Sequence, residues 1–285
     1  MRVLVTGAPG LLGAAIVREL SPIADVHPFD RAGLDLTDHE RVASTVAAVA
    51  PDVVINCAAY NDVDLAEDQA QLALSVNAFG VLTLARASDR AGARLVHYSS
   101  DFVFDGKSSR PYVEEDRPAP QSVYGASKLL GDWFALELPR AYVLRVESLF
   151  GEPGPSVRRR GSLGTIVARI KAGDEVPVFV DRTISPSYAV DVAAATRAIL
   201  TTQPPFGLYH CGNREAASWE TVARTAADLL GLPIRVKPLT LETAALRARR
   251  PRYCALSSEK LAAAGVRMPE WKDALRRYLA TLPSG

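Results

Sequence analysis

Residues 6–13 read Thr6-Gly7-Ala8-Pro9-Gly10-Leu11-Leu12-Gly13, between Val3-Leu4-Val5 and the helical run Ala14 to Leu20. The short apolar, β-branched triplet suits a buried parallel strand, and the run after the turn suits a helix lying on it. Each glycine has a task. Gly7 permits a sharp turn, Gly10 lets backbone N–H groups approach an anion, and Gly13 lets helix pack on strand. The helix then presents its positive end to that anion. Gly7, Pro9, Gly10, Leu11, Leu12 and Gly13 are therefore candidates to hold a dinucleotide pyrophosphate. The expected class is α/β: a doubly wound parallel (Rossmann) sheet.

A second strand, Ala24 to Phe29, ends at Asp30. An acidic residue there can accept hydrogen bonds from an adenine ribose and would repel a 2′-phosphate. Arg31 follows and would do the reverse, so the two signals conflict and the cofactor stays NAD(P)H. Asp35-Leu36-Thr37-Asp38 reads as the cap of the next helix, and Asp35 and Leu36 are equally placed to lie against the adenine. The run Asp52 to Ala59 is a third strand. Cys57, Ala58, Ala59 and Tyr60 at its carboxyl end, with Asn77 in the following helix, are further cofactor candidates, because ligands bind at the carboxyl ends of such strands.

The chemistry gathers between Tyr98 and Trp133. The strand Arg94 to Ser99 runs into Ser99 and Ser100, and Tyr124-Gly125-Ala126-Ser127-Lys128 opens a helix. Tyr124 and Lys128 stand at i and i+4, on one helix face. An ammonium beside a phenol favours the phenolate and lowers a pKa that starts near ~10. That gives a proton donor and acceptor usable near neutral pH. Such a pair alone is equally a surface pair on an amphipathic helix; the Ser-Ser strand end and the glycine turn give it functional meaning. Ser99 joins the cofactor candidates, and His97 reads as a packed core residue. The loop from Asp101 to Ser122 is long, and loops of that length are usually functional.

Composition excludes more than it specifies. A formal charge of +1 argues against nucleic acid or a membrane surface as the main partner. Cys57, Cys211 and Cys254 are far apart and odd in number, as reduced thiols of a cytoplasmic protein would be. The four histidines form no metal-ligand spacing, so no metal is expected. The first strand begins at Arg2, which leaves no expected signal peptide, and no apolar run approaches the ~18 residues of a membrane span.

After Gly151-Glu152-Pro153-Gly154-Pro155 the elements shorten, which places the expected domain boundary there. Residues 1–150 are expected to form the dinucleotide-binding domain, joined by a returning segment near 184–203. Residues 151–285 are expected to form mostly a smaller substrate-binding domain. Arg158-Arg159-Arg160, and Arg247, Arg249, Arg250 and Arg252, are either solvated faces or groups that hold a diphosphate, since guanidinium forks match phosphate oxygens. Arg182, in Asp181-Arg182-Thr183-Ile184-Ser185-Pro186-Ser187, faces the same choice.

Taken together, TGAPGLLG, PDVVINCAAYNDVDLAE, HYSSDFVFDG with PYVEED, YGASKLLGD, the SPSY loop and RPRYCALSSEKL with PEW resemble the extended short-chain dehydrogenase/reductases. Within them the chain is most similar to the dTDP-4-dehydrorhamnose reductase family, over essentially its whole length. The resemblance implies hydride transfer from a nicotinamide to the 4-keto group of a nucleotide-linked deoxysugar. It implies Tyr124 as proton donor, Lys128 as its partner on the nicotinamide ribose, and Ser100 in place of the family's threonine. On the substrate side it points to Asp101, Val103, Phe104, Ser148, Arg182 and Arg250. Ser148 stands where the family has a tryptophan, and Arg182 and Ile184 depart from the family's DQxGxPT loop, so the sugar is less fixed than the reaction. Two other readings share the resemblance. One is an epimerase or dehydratase that retains NAD; the other is a cofactor-binding regulatory subunit like the β subunit of methionine adenosyltransferase. A homodimer is also expected.

Overall fold

The alternation of side chains along the first strand divides the molecule into layers. In the computed structural model, which describes residues 1–152 and 161–283, β1 (Arg2–Thr6) sends Val3 and Val5 to one face and Leu4 to the other, all fully buried. Around it run α1 (Leu11–Leu20), β2 (Asp25–Phe29), α2 (His39–Val49) and β3 (Val53–Asn56). Then follow α3 (Ala70–Leu74), a π turn (Ser75–Phe79), α4 (Gly80–Arg90), β4 (Arg94–Ser100), α5 (Val123–Leu136) and β5 (Ala141–Val146). Later come β6 (Leu149–Phe150), α6 (Ser162–Ala172), β7 (Glu175–Phe179), β8 (Thr183–Ile184), β9 (Ser187–Tyr188), α7 (Ala189–Thr202) and β10 (Gly207–His210). The chain finishes with β11 (Ala217–Ser218), α8 (Trp219–Leu230), β12 (Arg235–Leu239), α9 (Glu259–Ala263) and α10 (Trp271–Thr281).

Six strands pair in parallel in the order β10-β5-β4-β3-β1-β2, the doubly wound sheet expected. The order reverses between β1 and β3, and a ligand crevice opens at the carboxyl ends of such strands. Residues of α1 and α7 cover one face with Val3, Val5, Val53, Ile55 and Val96. The other face packs Leu4, Val54, Leu95 and Val143 against α2, α4 and the end of α5. A second core joins Leu163, Ile166, Val176, Val178, Trp219, Val222, Trp271 and Leu275, and around it lie the short β7–β12 and β8–β11 pairs. After residue 151 the chain returns twice to the first core, with Ala189 to Cys211 and with Leu261, Val266 and Met268.

Several elements differ from the sequence reading for local reasons. β3 stops at Asn56 rather than Ala59, because the Asn56 Oδ1 accepts from Thr6 Oγ1 at 2.6 Å and from the Ala58 N–H at 3.2 Å, closing the ladder. Within Asp35-Leu36-Thr37-Asp38, expected to cap α2, Asp38 is the residue that does so, accepting from the Arg41 N–H at 3.0 Å. The helix containing Asn77 is continuous over Ala70–Arg90, 21 residues whose most apolar 18-residue window has a mean hydropathy of 1.2, long and apolar enough to cross a membrane by length and composition alone. Its Val81, Leu84 and Ala85 are buried against the sheet. Pro153 to Pro155 and Arg158, Arg159 and Arg160 lie outside the described residues.

Candidate active site

The glycine turn closes against the end of β3. Gly7 has φ +64°, and a Cβ there would come 2.6 Å from the Ala58 nitrogen. A Cβ on Gly13 would collide with the Gly7 carbonyl oxygen, so α1 lies directly on the turn. Gly10 is the N-cap of α1 and offers no side-chain acceptor, which leaves the first-turn N–H groups to whatever enters the crevice. Gly10, Leu11, Leu12 and Gly13, with Cys57, Ala58 and Ala59, line one end of a cavity of about 650 Å³. Uncapped N–H donors, with no room for a Cβ at Gly7 or Gly13, fit a pyrophosphate.

The other cofactor candidates are placed less directly. Pro9 is half-buried in the turn. Asp30 accepts from the Gly33 N–H at 2.7 Å, and the exposed Arg31 donates to Asp35 Oδ2 at 3.1 Å. Asp35 is held below the usual carboxylate range, chiefly by the Thr37 N–H. Leu36 is buried beneath Gly80, in the core. Asn77 works as a strut: it accepts from Tyr60 N at 2.8 Å and donates to Tyr60 O and to Ser127 Oγ at 3.1 and 3.0 Å. It thereby ties the loop after β3 to α5.

Ser99 and Ser100 end β4, and α5 brings Tyr124 and Lys128 to the same cavity. Ser122 caps α5 by accepting from Gly125 N at 3.1 Å, and a Cβ on Gly125 would strike the Phe102 carbonyl. The sequence YGASK therefore needs its glycine to seat the helix. Lys128 Nζ donates to the Tyr98 carbonyl at 2.7 Å. Burial lowers the Lys128 pKa to about 8, with Asp132 acting in the opposite direction.

Tyr124 corrects one expectation. Burial pushes its phenol pKa up rather than down, with a Ser100 hydrogen bond opposing and Asp101 and Asp132 adding to the rise. The phenol therefore holds its proton, as a general acid must. His97 is fully buried as expected and meets Asn56 Nδ2 through Nδ1 at 3.1 Å.

The far end of the cavity collects Asp101, Ser148, Arg182 and Arg250. Val103 and Phe104 do not join them. Both are fully buried in a separate cluster with Tyr112, Leu129 and Leu256, where Phe104 stacks on Tyr112 at 4.1 Å. Arg182 is also buried, its Nε donating to Pro251 O at 3.1 Å and its Nη2 to Cys254 Sγ at 3.1 Å. Arg250 pairs with Asp64 at 2.8 Å, while Arg252 is exposed and 3.9 Å from Asp181. Ser148 has φ +42° and donates to Glu147 Oε1 at 3.1 Å.

Residues that the sequence reading did not single out also line the cavity, among them Asp62, Asp64, Phe102, Glu147 and Trp219. Glu147, directly after β5, obeys the same carboxyl-end rule that selected Ser99 and could have been found by it. Trp219, 118 residues past Asp101, gave no signal of proximity. With Phe102 it gives the cavity lining aromatic side chains.

A parallel sheet with a glycine turn at its switch point, opening on a buried Ser-Tyr-Lys set, defines an NAD(P)-dependent oxidoreductase of the extended short-chain class. The family model described as RmlD substrate binding domain matches residues 1–283. The chain therefore belongs to the dTDP-4-dehydrorhamnose reductase family. A dTDP-4-dehydrorhamnose reductase of Streptomyces griseus is 38% identical over 99% of this chain and 94% of its own length. A probable dTDP-4,6-dihydroxy-2-methyloxan-3-one 4-ketoreductase of Streptomyces antibioticus is 35% identical, over 97% and 94%. The crystal structure of dTDP-4-dehydrorhamnose reductase from Bacillus anthracis str. Ames in complex with NADP superposes with a TM-score of 0.93 at 33% identity, covering 99% of both chains.

Proposed function

We propose that the chain is an NAD(P)H-dependent reductase of a nucleotide-linked 4-keto-6-deoxy sugar, acting as dTDP-4-dehydrorhamnose reductase does. The observation that carries this reading is the continuity of one cavity from the glycine turn, past Ser100, Tyr124 and Lys128, to Arg182 and Arg250. The nicotinamide, when bound, supplies the hydride. Tyr124, kept protonated by burial, gives its proton to the alkoxide as it forms. Ser100 orients the carbonyl beside the phenol, and Lys128, fixed to the end of β4, holds the ribose. Arg250 faces the cavity from a segment remote in sequence and is the arginine best placed to meet a diphosphate, since its ion pair with Asp64 can exchange for phosphate oxygens.

The reading extends to a cytoplasmic enzyme with reduced thiols and to a homodimer; the exposed Phe79, Trp133 and Leu136 support the second part. The test is NAD(P)H oxidation against a panel of 4-keto-6-deoxy sugar nucleotides. Turnover of at least one member is expected. A purified protein that turns over none and carries a full complement of tightly held NAD would replace the reductase with an epimerase or dehydratase.

A further inference from the structure

Beside the Ser-Tyr-Lys set lies an acidic pair, Asp101 and Glu147, to which the reductase reading gives no proton-transfer step. Asp101 and Glu147 are 3% and 2% exposed. Their carboxylate oxygens and the Cys254 sulfur all lie within 4.8 Å of one another. The pair spans from the end of β4 to the end of β5, and both residues border the cavity.

Charge counting decides what the pair must be. Among the described residues, Arg182 is the cation that faces both carboxyls, and it is already seated on Cys254 and Pro251. Arg250, also at the cavity, is neutralised by Asp64. Tyr124, Tyr253 and Cys254, the other titratable groups nearby, are held in their neutral forms by burial. Two buried carboxylates opposite one guanidinium do not both ionise cheaply, so near neutral pH they retain a proton between them. Burial accordingly raises Asp101 to about 6 and Glu147 well above the usual carboxylate range. Glu147 is held by the Ser185 N–H and the Ser148 hydroxyl, whereas Asp101 Oδ2 is buried with no hydrogen-bond partner among the described residues.

The pair is wired to the phenol. Ser100 Oγ donates to Asp101 Oδ1 at 2.9 Å, and it lines the cavity with Tyr124, near enough to oppose the rise in the phenol pKa. Lys128, the other route to the phenol, spends a donor on the Tyr98 carbonyl.

We propose that Asp101 and Glu147 form a proton store that recharges Tyr124 through Ser100 after each turnover. This rests on the reductase reading above. Tyr124 gives its O–H proton to the alkoxide and becomes phenolate. The Ser100 hydroxyl, which donates to Asp101 Oδ1 before the reaction, turns to the phenolate oxygen, passes its proton there and takes the pair's proton from Asp101, since a hydroxyl both donates and accepts. The pair is then doubly negative opposite Arg182, and a water in the cavity returns one proton to it at Glu147. Each turnover thus draws one proton from solvent and one hydride from the nicotinamide, and the two carboxyls act only through Ser100.

The test has two arms, on the whole protein with Asp101→Asn and Glu147→Gln. Infrared spectra at neutral pH without substrate should show a protonated-carboxyl stretch in wild type that shifts in D2O. It should vanish in either variant, because a single carboxyl facing Arg182 ionises. In rapid mixing with NAD(P)H and substrate, Glu147→Gln should complete the first turnover at near the wild-type rate, since Tyr124 starts protonated. Later turnovers should then slow by about tenfold or more, with KM unchanged and Glu147→Asp recovering part of the loss. No difference in the carboxyl stretch overturns the store. So does a first turnover and a steady state that fall together, which marks a structural or binding role. If wild type turns over no substrate, the reductase reading fails, and the infrared arm alone then decides whether the pair holds a proton. If Glu147→Gln does not fold, Glu147→Asp carries the kinetic arm and Asp101→Asn the infrared arm.

Discussion

The Nζ of Lys128 is fastened to the main-chain oxygen of Tyr98, 2.7 Å away, so the ammonium is fixed to the end of β4 rather than to the phenol it accompanies. Burial leaves its pKa at about 8, below the ordinary lysine value of 10.5. Below pH 8 the group is charged in folded and unfolded chains alike, and the full desolvation cost is present. Between 8 and 10.5 the folded chain releases its proton first, so this group's contribution to stability rises with pH. Cofactor binding, which needs the ammonium, should run the other way. NADPH affinity measured by fluorescence should weaken as pH rises through about 8, and Asp132→Asn should move that midpoint lower. A flat affinity across this range would remove Lys128 from the ribose.

Tyr124→Phe should leave NADPH binding within a few-fold while turnover falls by ~100-fold or more, the usual cost of losing a general acid. Steady-state kinetics beside a binding titration separate the two. A near-wild-type rate on a verified substrate would show that another group delivers the proton.

Cofactor preference should be weak. Asp30 is occupied by the Gly33 N–H, and Arg31 by an exposed pair with Asp35 of the kind worth at most ~1 kcal/mol, so Arg31 is easily released to a 2′-phosphate. A preference between NADH and NADPH below about tenfold, or ~1.4 kcal/mol, is expected. Asp30→Ala should shift the kcat/KM ratio towards NADPH and Arg31→Ala towards NADH. A wild-type ratio near a thousandfold would mean that one of the two does not meet the ribose.

The two cavity arginines should fail differently. Arg250→Ala should raise the substrate KM with kcat nearly kept, because a diphosphate is held equally in ground and transition states. Arg182→Ala leaves Asp101 and Glu147 without the cation that faces them and removes the buried hydrogen bonds to Pro251 and Cys254. Its Tm should fall while that of Arg250→Ala stays close to wild type. Equal Tm values would return Arg182 to a direct role on the diphosphate.

Local rules made the first layer of this molecule legible. The glycine spacing and a β-branched triplet specify β1, the turn and α1, because each depends on residues within a dozen positions. The same holds for Tyr124 and Lys128 on one helix face. What depends on distant pairing was hidden. β8 and β11 have two residues each, too few for a period, and exist only because they meet each other. Val103 and Phe104, beside Asp101 in sequence, turn into a core supplied by Leu256. Arg182 reads as a surface phosphate ligand until Pro251 and Cys254 arrive from about 70 residues away. The phenol's raised pKa was missed for a simpler reason: spacing locates a neighbouring ammonium but not the water that burial removes.

One of the two edge strands of the main sheet, β10, is also the last of the six to be made. Until residue 210 has left the ribosome, β5 carries a bare row of backbone donors and acceptors along one side, although every other strand of the sheet is complete. An open edge of that kind is a template for pairing with another chain. Synthesis rather than catalysis is therefore where this architecture is most exposed. A chain halted near residue 150 holds all of Ser100, Tyr124 and Lys128, yet it would be a sticky fragment rather than a small enzyme.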